Sequence, residues 1–187
     1  TILPQFANGQ LGNSNSLKVW SCACSTGEEP YSIAITLAEF LKTKPEAKWE
    51  IQCSDISTRG RDFASKAIYD ESRLQQIQAN WRQKHFQKGE QKMAGYYRVH
   101  PTLRKRINFH RLNLFSKSFP WKDKFQVIFC RNVMIYFDRE TQEDLVGRLS
   151  QHLVPGGYLL IGHAESLAGI KHPYETIKPA IYRMPEK

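Results

Sequence analysis

What the chain lacks narrows it first. No apolar stretch approaches the ~20 residues a membrane-crossing helix needs, and the opening TILPQFANGQLGNSNS has no charged-then-apolar order of an export signal. A cytoplasmic protein with no membrane insertion is therefore expected. Cysteine is scarce, 4 in 187 residues. Cys22, Cys24, Cys53 and Cys130 fall in or beside apolar strand-like runs, not in the paired CxxC spacing of a zinc site, so reduced buried thiols are expected. The histidines are scattered, and no metal constellation is visible. Acidic residues are outnumbered 18 to 27, a net charge of +9 that favours an acidic partner (nucleic acid, anionic lipid or an acidic protein face) without choosing among them.

What is present is enough for one folded domain. A chain of 187 residues can bury roughly 70% of its unfolded surface, and 41% hydrophobic residues with no biased tract exclude disorder and solenoid repeats. Residues 1–16, rich in Asn, Gly and Ser, read as a linker, and the domain as 17–187. Lys18 to Cys24 reads as a strand and Pro30 to Leu41 as a helix with Ile33, Leu37 and Leu41 on one face, capped by Ser25 or Thr26. Trp49 to Cys53 is a second strand and Ser57 to Ala67 a second helix; Ile107 to Leu112 and Phe125 to Cys130 are further strands. Glu140 to Leu153 is an amphipathic helix, after which Pro155-Gly156-Gly157 turns into a fifth strand, Tyr158 to Gly162. Strands alternating with helices predict an α/β fold, a Rossmann-like doubly wound and mostly parallel sheet. Residues from about Ile68 to Arg106 break the alternation and predict a small antiparallel β insertion, centred on about 88–106.

Ligands of such sheets sit beyond the carboxyl ends of the strands. Those ends carry Ala23 to Glu29, Asp55, Asn113-Leu114 and Arg131-Asn132. An acid closing the second strand suits a ribose diol, although Asp55 is equally readable as a cap before the helix near Ser57. The first loop, STGEEPYS, keeps only Gly27 of the glycines that bring backbone against a pyrophosphate. Glu28 and Glu29 would repel phosphate, which disfavours NAD, FAD and ATP, while an amine or sulfonium would be welcome there. S-adenosylmethionine, with adenosine at one end and a cationic amino-acid tail at the other, meets both demands. Favourable placement at a helix N-terminus is the simpler explanation of the same two acids.

STGEEPYSIA, SDIS, FHRLNL, FCRNVMIYFD and GHAES, in this order from Val19 to Arg183, resemble the CheR family of chemotaxis receptor methyltransferases. The resemblance implies a class I methyltransferase fold and S-adenosylmethionine-dependent methylation of glutamate side chains on the cytoplasmic domain of chemoreceptors. By motif position it implies that Glu29 and Asp55 hold the cofactor, with Gly27 and Ala23 in the same loop. Asn113, Leu114, Arg131 and Asn132 would line its adenosine and reaction end, and Tyr136 and Arg131 would stand at the transferred methyl. The family also has an N-terminal helical domain and a linker that help close the site, and neither is contained in this sequence. In some members the insertion docks a receptor tail peptide, and Tyr96, Tyr97, Arg98 and Val99 occupy the matching region.

A glutamate acceptor, with a pKa of ~4.3, is ionised at neutral pH and needs no general base, so no catalytic triad is expected. Without the resemblance, Tyr136 reads equally as a core aromatic. Arg104-Lys105-Arg106 reads as a solvated basic face, and His163 and Glu165 as loop structure. The alternatives are a nucleic-acid methyltransferase, prompted by the charge, and a non-catalytic S-adenosylmethionine-binding module. Arg131-Asn132-Val133-Met134 stands where the first would carry Asn/Asp-Pro-Pro-aromatic or Pro-Cys, so no nucleic-acid partner is expected.

Overall fold

The structure, a computed structural model, describes residues 2–11 and 16–186. In chain order they form α1 (Ile2–Ala7), β1 (Ser16–Ser21), α2 (Glu28–Phe40), β2 (Lys48–Asp55), α3 (Thr58–Lys66) and β3 (Ile68–Asp70). Next come α4 (Ala79–His85), β4 (Phe86–Lys88), β5 (Tyr96–Val99), α5 (Pro101–Arg104), β6 (Ile107–Arg111) and β7 (Phe125–Cys130). The chain closes with α6 (Arg139–Gln151), β8 (Leu153–Ile161), β9 (Glu175–Lys178) and β10 (Ile181–Arg183).

The main sheet has the order β6-β2-β1-β7-β8-β10-β9. Its first five strands are parallel, and β10 and β9 extend it antiparallel. From β1 the chain winds outward through β2 to β6, then returns to the other side of β1 with β7 and β8. The order therefore reverses between β1 and β7, and ligands of open α/β sheets bind at such a reversal. Composition explains which strands sit centrally: β7, FQVIFC, is almost wholly buried, as a strand covered on both faces must be.

Each face of the sheet has its own core. One gathers Leu17, Val19, Ile51 and Tyr158 with the inner sides of α1 and α2. The other gathers Trp20, Ile128, Leu159 and Ile161 with Leu145, Val146 and Leu149 of α6. Trp20 is completely buried, and its indole N–H donates to Ser54 Oγ (2.9 Å), whose hydroxyl donates to the Cys22 carbonyl (3.1 Å), so the buried indole and hydroxyl are both satisfied. α3 and α6 start on oxygen caps: Ser57 Oγ accepts from Gly60 N (3.1 Å) and Asp138 Oδ1 from Thr141 N (2.9 Å).

Several expectations are corrected. Residues 2–7 are helical and bury Phe6, with Leu11 buried beyond them, so this part of 1–16 is packed rather than linker-like; residues 12–15 lie outside the described residues. Neither Ser25 nor Thr26 caps α2: the N-cap is Gly27, with φ 93°, and Thr26 Oγ1 donates instead to Glu28 (2.6 Å). Pro155-Gly156-Gly157 lies inside β8, not before it. Gly156 has φ 73°, the pairing with β7 slips at Phe125/Val127, and Met184 N donates to Gly157 O (2.7 Å), so the three residues form a bulge that a proline tolerates. β9 and β10 escape sequence reading because β9 is exposed along its whole length and β10 is only three residues long. The insertion's sheet, β3-β5-β4, draws on residues from 68 to 99 and is followed by the helical turn α5.

Ile128 lies at the centre of β7 and is fully buried. Ile128→Ala is expected to destabilise the fold by about 2–5 kcal/mol, read as a lower urea midpoint at unchanged slope; a midpoint equal to wild type would contradict the core assignment.

Candidate active site

A cavity of about 820 Å³ opens at the reversal between β1 and β7. Its polar end is walled by Ala23, Ser25, Thr26, Glu28 and Glu29 after β1 and by Arg131 and Asn132 after β7; below them it continues as an apolar trough along the sheet face between α1 and α2. The strand order thus brings Ala23, Glu29, Arg131 and Asn132 into one wall, although about a hundred residues separate the two groups.

Glu29 is the centre of that wall. Ser21 Oγ donates to its Oε1 (2.8 Å) and Arg131 Nη1 to its Oε2 (3.2 Å). Burial pushes its carboxyl above the ordinary value, against the opposing pull of Ser21 and Arg131, with Glu165 adding a smaller push in the same direction. Arg131 therefore balances the charge of Glu29 rather than standing free. Glu28 lines both this cavity and the neighbouring groove and is paired with Arg73, from the turn after β3.

Asp55, ending β2, joins two loops. Its Oδ2 accepts from Ser25 N (2.7 Å) and its Oδ1 from Ser57 N (2.8 Å). The reading of Asp55 as a plain helix cap is thereby replaced, since Ser57 caps α3. Each carboxylate oxygen takes one backbone donor and keeps acceptor capacity for a diol. Asn113 follows β6, with Leu112 N bonded to Asp55 O (3.1 Å), and its Oδ1 accepts from Phe115 N (3.0 Å). Leu114 is buried in the core beneath.

Four amides of the first loop are taken up internally. Cys22 N donates to Phe129 O (2.9 Å), Cys24 N to Ser54 O (3.0 Å), Ser25 N to Asp55 and Gly27 N to Cys24 O (2.9 Å). These bonds occupy part of the donor set that would otherwise cradle a pyrophosphate, while the Glu29 carboxylate offers a partner to a cation. Gly27 is not part of the cavity wall. A Cβ on it would lie 2.7 Å from Tyr69 Oη and 2.8 Å from Ala64 Cβ, so close packing against α3 and β3 requires glycine there. Tyr136 is 79% exposed, on the turn that follows Asn132. It is no core aromatic, and it stands outside the cavity wall.

Sequence reading passed over one residue of consequence. Glu165, taken as loop structure, is buried, and its carboxylate accepts N–H groups from the Asn132–Ile135 turn. Only the motif GHAES signalled it. His163 beside it is exposed. The four cysteines are free and buried, and among the described residues no His/Cys/Asp/Glu group could hold a metal ion. No helix among them is long and apolar enough to cross a membrane.

The description "CheR methyltransferase, SAM binding domain" matches residues 2–182. The chain is 38% identical over 184 residues to the chemotaxis protein methyltransferase of Borreliella burgdorferi, covering 97% of this chain and 64% of that protein. It is 37% identical over 181 residues to the Escherichia coli protein of the same name, covering 97% and 63%, and 40% identical over 183 residues to that of Salmonella typhimurium, covering 98% and 62%. The chain thus spans somewhat under two thirds of the length of these relatives. The residues present fit S-adenosylmethionine: a half-buried carboxylate in the cavity wall after β1, and an acid with spare acceptor capacity at the end of β2.

Two outcomes are expected in calorimetric titrations with S-adenosylhomocysteine, which keeps the ammonium and ribose. Glu29→Gln weakens binding about 10- to 100-fold, the worth of a charge-assisted hydrogen bond. Because burial raises the Glu29 pKa, wild-type affinity falls as the pH is lowered, starting above the range of an ordinary carboxylate, and the Gln variant loses this fall. An unchanged pH profile in the variant would remove Glu29 from the site. Asp55→Ala releases both loops and is expected to cost at least about tenfold in affinity; wild-type binding would show that the diol is held elsewhere.

Proposed function

The chain belongs to the CheR methyltransferase family and comprises its SAM-binding domain, and from that premise we propose that it transfers the methyl group of S-adenosylmethionine to glutamate side chains on the cytoplasmic domain of chemoreceptors, as glutamate methyl esters, in chemotactic adaptation. The single observation that supports this best is the carboxylate-bearing loop at the β1/β7 reversal, where Glu29 meets Arg131 at 3.2 Å.

S-adenosylmethionine, when bound, supplies an electrophilic methyl carried on a cationic sulfur. The protein's residues hold and orient. Glu29 receives the ammonium of the amino-acid tail, with Ser21 and Arg131 keeping its carboxylate directed into the cavity. Asp55, fixed through Ser25 N and Ser57 N, receives the ribose hydroxyls, and Asn113 beside it receives the adenine end. Asn132 lines the wall from the β7 side, and Tyr136, on the same turn, faces the incoming acceptor. No side chain has to take a proton, because the acceptor glutamate is already ionised at neutral pH, its pKa being ~4.3. Rate enhancement then comes from alignment and from stripping water off the acceptor carboxylate.

The β insertion gives this reading a second surface. β5 is paired on both sides, so Tyr96, Tyr97, Arg98 and Val99 have no free backbone edge. A receptor tail peptide joining this sheet as a strand would add to β3 or β4, with Tyr96 and Arg98 pointing outward beside it.

The full-length protein, given labelled methyl donor and purified receptor cytoplasmic domains, is expected to produce label that alkali releases as methanol. Alkali-stable label, or label on nucleic acid, would sink the glutamate ester reading.

A further inference from the structure

We propose that Glu165 is a positioning residue for methyl transfer: from the loop after β8 it clamps the turn after β7 that carries Asn132 and Tyr136, and so sets where both stand relative to the cavity. The proposal rests on the methyl-transfer reading above. Glu165 is only 8% exposed. Its Oε2 accepts from Gly162 N (2.6 Å) and Asn132 N (2.9 Å), and its Oε1 from Val133 N (3.1 Å), Met134 N (2.9 Å) and Ile135 N (3.3 Å). One carboxylate thereby answers the open donors at the end of β8 and at the start of the Met134–Tyr136 turn.

Three features point to positioning rather than packing. Asn132 has φ 57°, a left-handed conformation that asparagine tolerates better than other non-glycine residues, and Glu165 bonds the N–H of this residue directly. The holding group is a charge withdrawn from water, which a site needing only bulk would not select, since an apolar side chain fills space without the desolvation cost. The fit is also tight from behind: a Cβ on Gly162 would lie 2.7 Å from Glu165 Oε2 and 3.1 Å from Asn132 N. Gly162 and Glu165 of GHAES are thus two halves of one device. Glycine lets the strand end approach, and the carboxylate takes up the donors. Arg131, at the end of β7, is carried on the same chain segment, and the charge of Glu165 contributes to the raised pKa of Glu29.

The test uses the full-length protein with Glu165→Gln, which keeps the shape but turns an amide NH₂ toward backbone N–H groups, and Gly162→Ala, which keeps the charge but displaces it. Four readouts are taken: thermal midpoint, hydrogen exchange of the amides from Asn132 to Ile135, calorimetric affinity for S-adenosylhomocysteine, and kcat and KM for receptor methylation. Both variants are expected to stay folded, to exchange faster at Asn132–Ile135, and to lose about 10- to 100-fold in kcat, the scale of an ångström-sized misplacement, with a smaller change in the receptor KM. Wild-type kcat and affinity in folded Glu165→Gln would overturn the proposal. So would failure of both variants to fold, which would assign Glu165 to the fold itself. If the wild type esterifies no receptor glutamate, the function reading fails, while exchange and S-adenosylhomocysteine affinity still decide whether Glu165 sets the turn.

Discussion

Everything at the site depends on β1 and β7 lying side by side while the chain leaves them in opposite directions. Parallel neighbours end at the same level, and the two departures open a gap that no connecting segment covers. Residues of the loop after β1, from Ala23 to Thr26 with Glu28 and Glu29, and Arg131 and Asn132 after β7 become the walls of that gap. The Glu29–Arg131 pair bridges it, joining α2 to the strand end opposite. Val19 and Val127, buried and paired across the two strands, form its floor.

Three carboxylates near this gap do different work because their partners differ. Asp55 takes one backbone amide on each oxygen and stays half exposed, which leaves it able to accept more. Glu29 is met by a hydroxyl and a guanidinium, and burial lifts its pKa against their pull. Glu165 is taken up by backbone amides and has turned from the solvent into the protein. A net charge of +9 on the whole chain therefore says little about the site, whose own character comes from a few acids held among selected donors.

Much of the fold was legible. β7 was found at its true limits because a strand covered on both faces must be continuously apolar, and α2 and α6 because their apolar spacing follows the helical turn. The misses share a cause. α1, β9 and β10 are short, and their burial or pairing comes from what lies across from them, not from their own pattern. Within the site, the residues at strand ends could be anticipated, since the fold class says where ligands go. Glu165 could not, because a lone Glu in a loop has the same local signature whether it faces water or five backbone amides.

The sequence by itself determined the alternation of strands and helices, the family motifs, and the acidic first loop that argues against a phosphate ligand, since these rest on periodicity and on charge within a few residues. Tertiary structure alone decided that Arg131 neutralises Glu29, that Asp55 ties two loops together, that Gly27 serves packing, and that Glu165 holds the turn after β7. Those outcomes depend on distances between residues up to about a hundred positions apart, and such distances exist only once the sheet has ordered its strands.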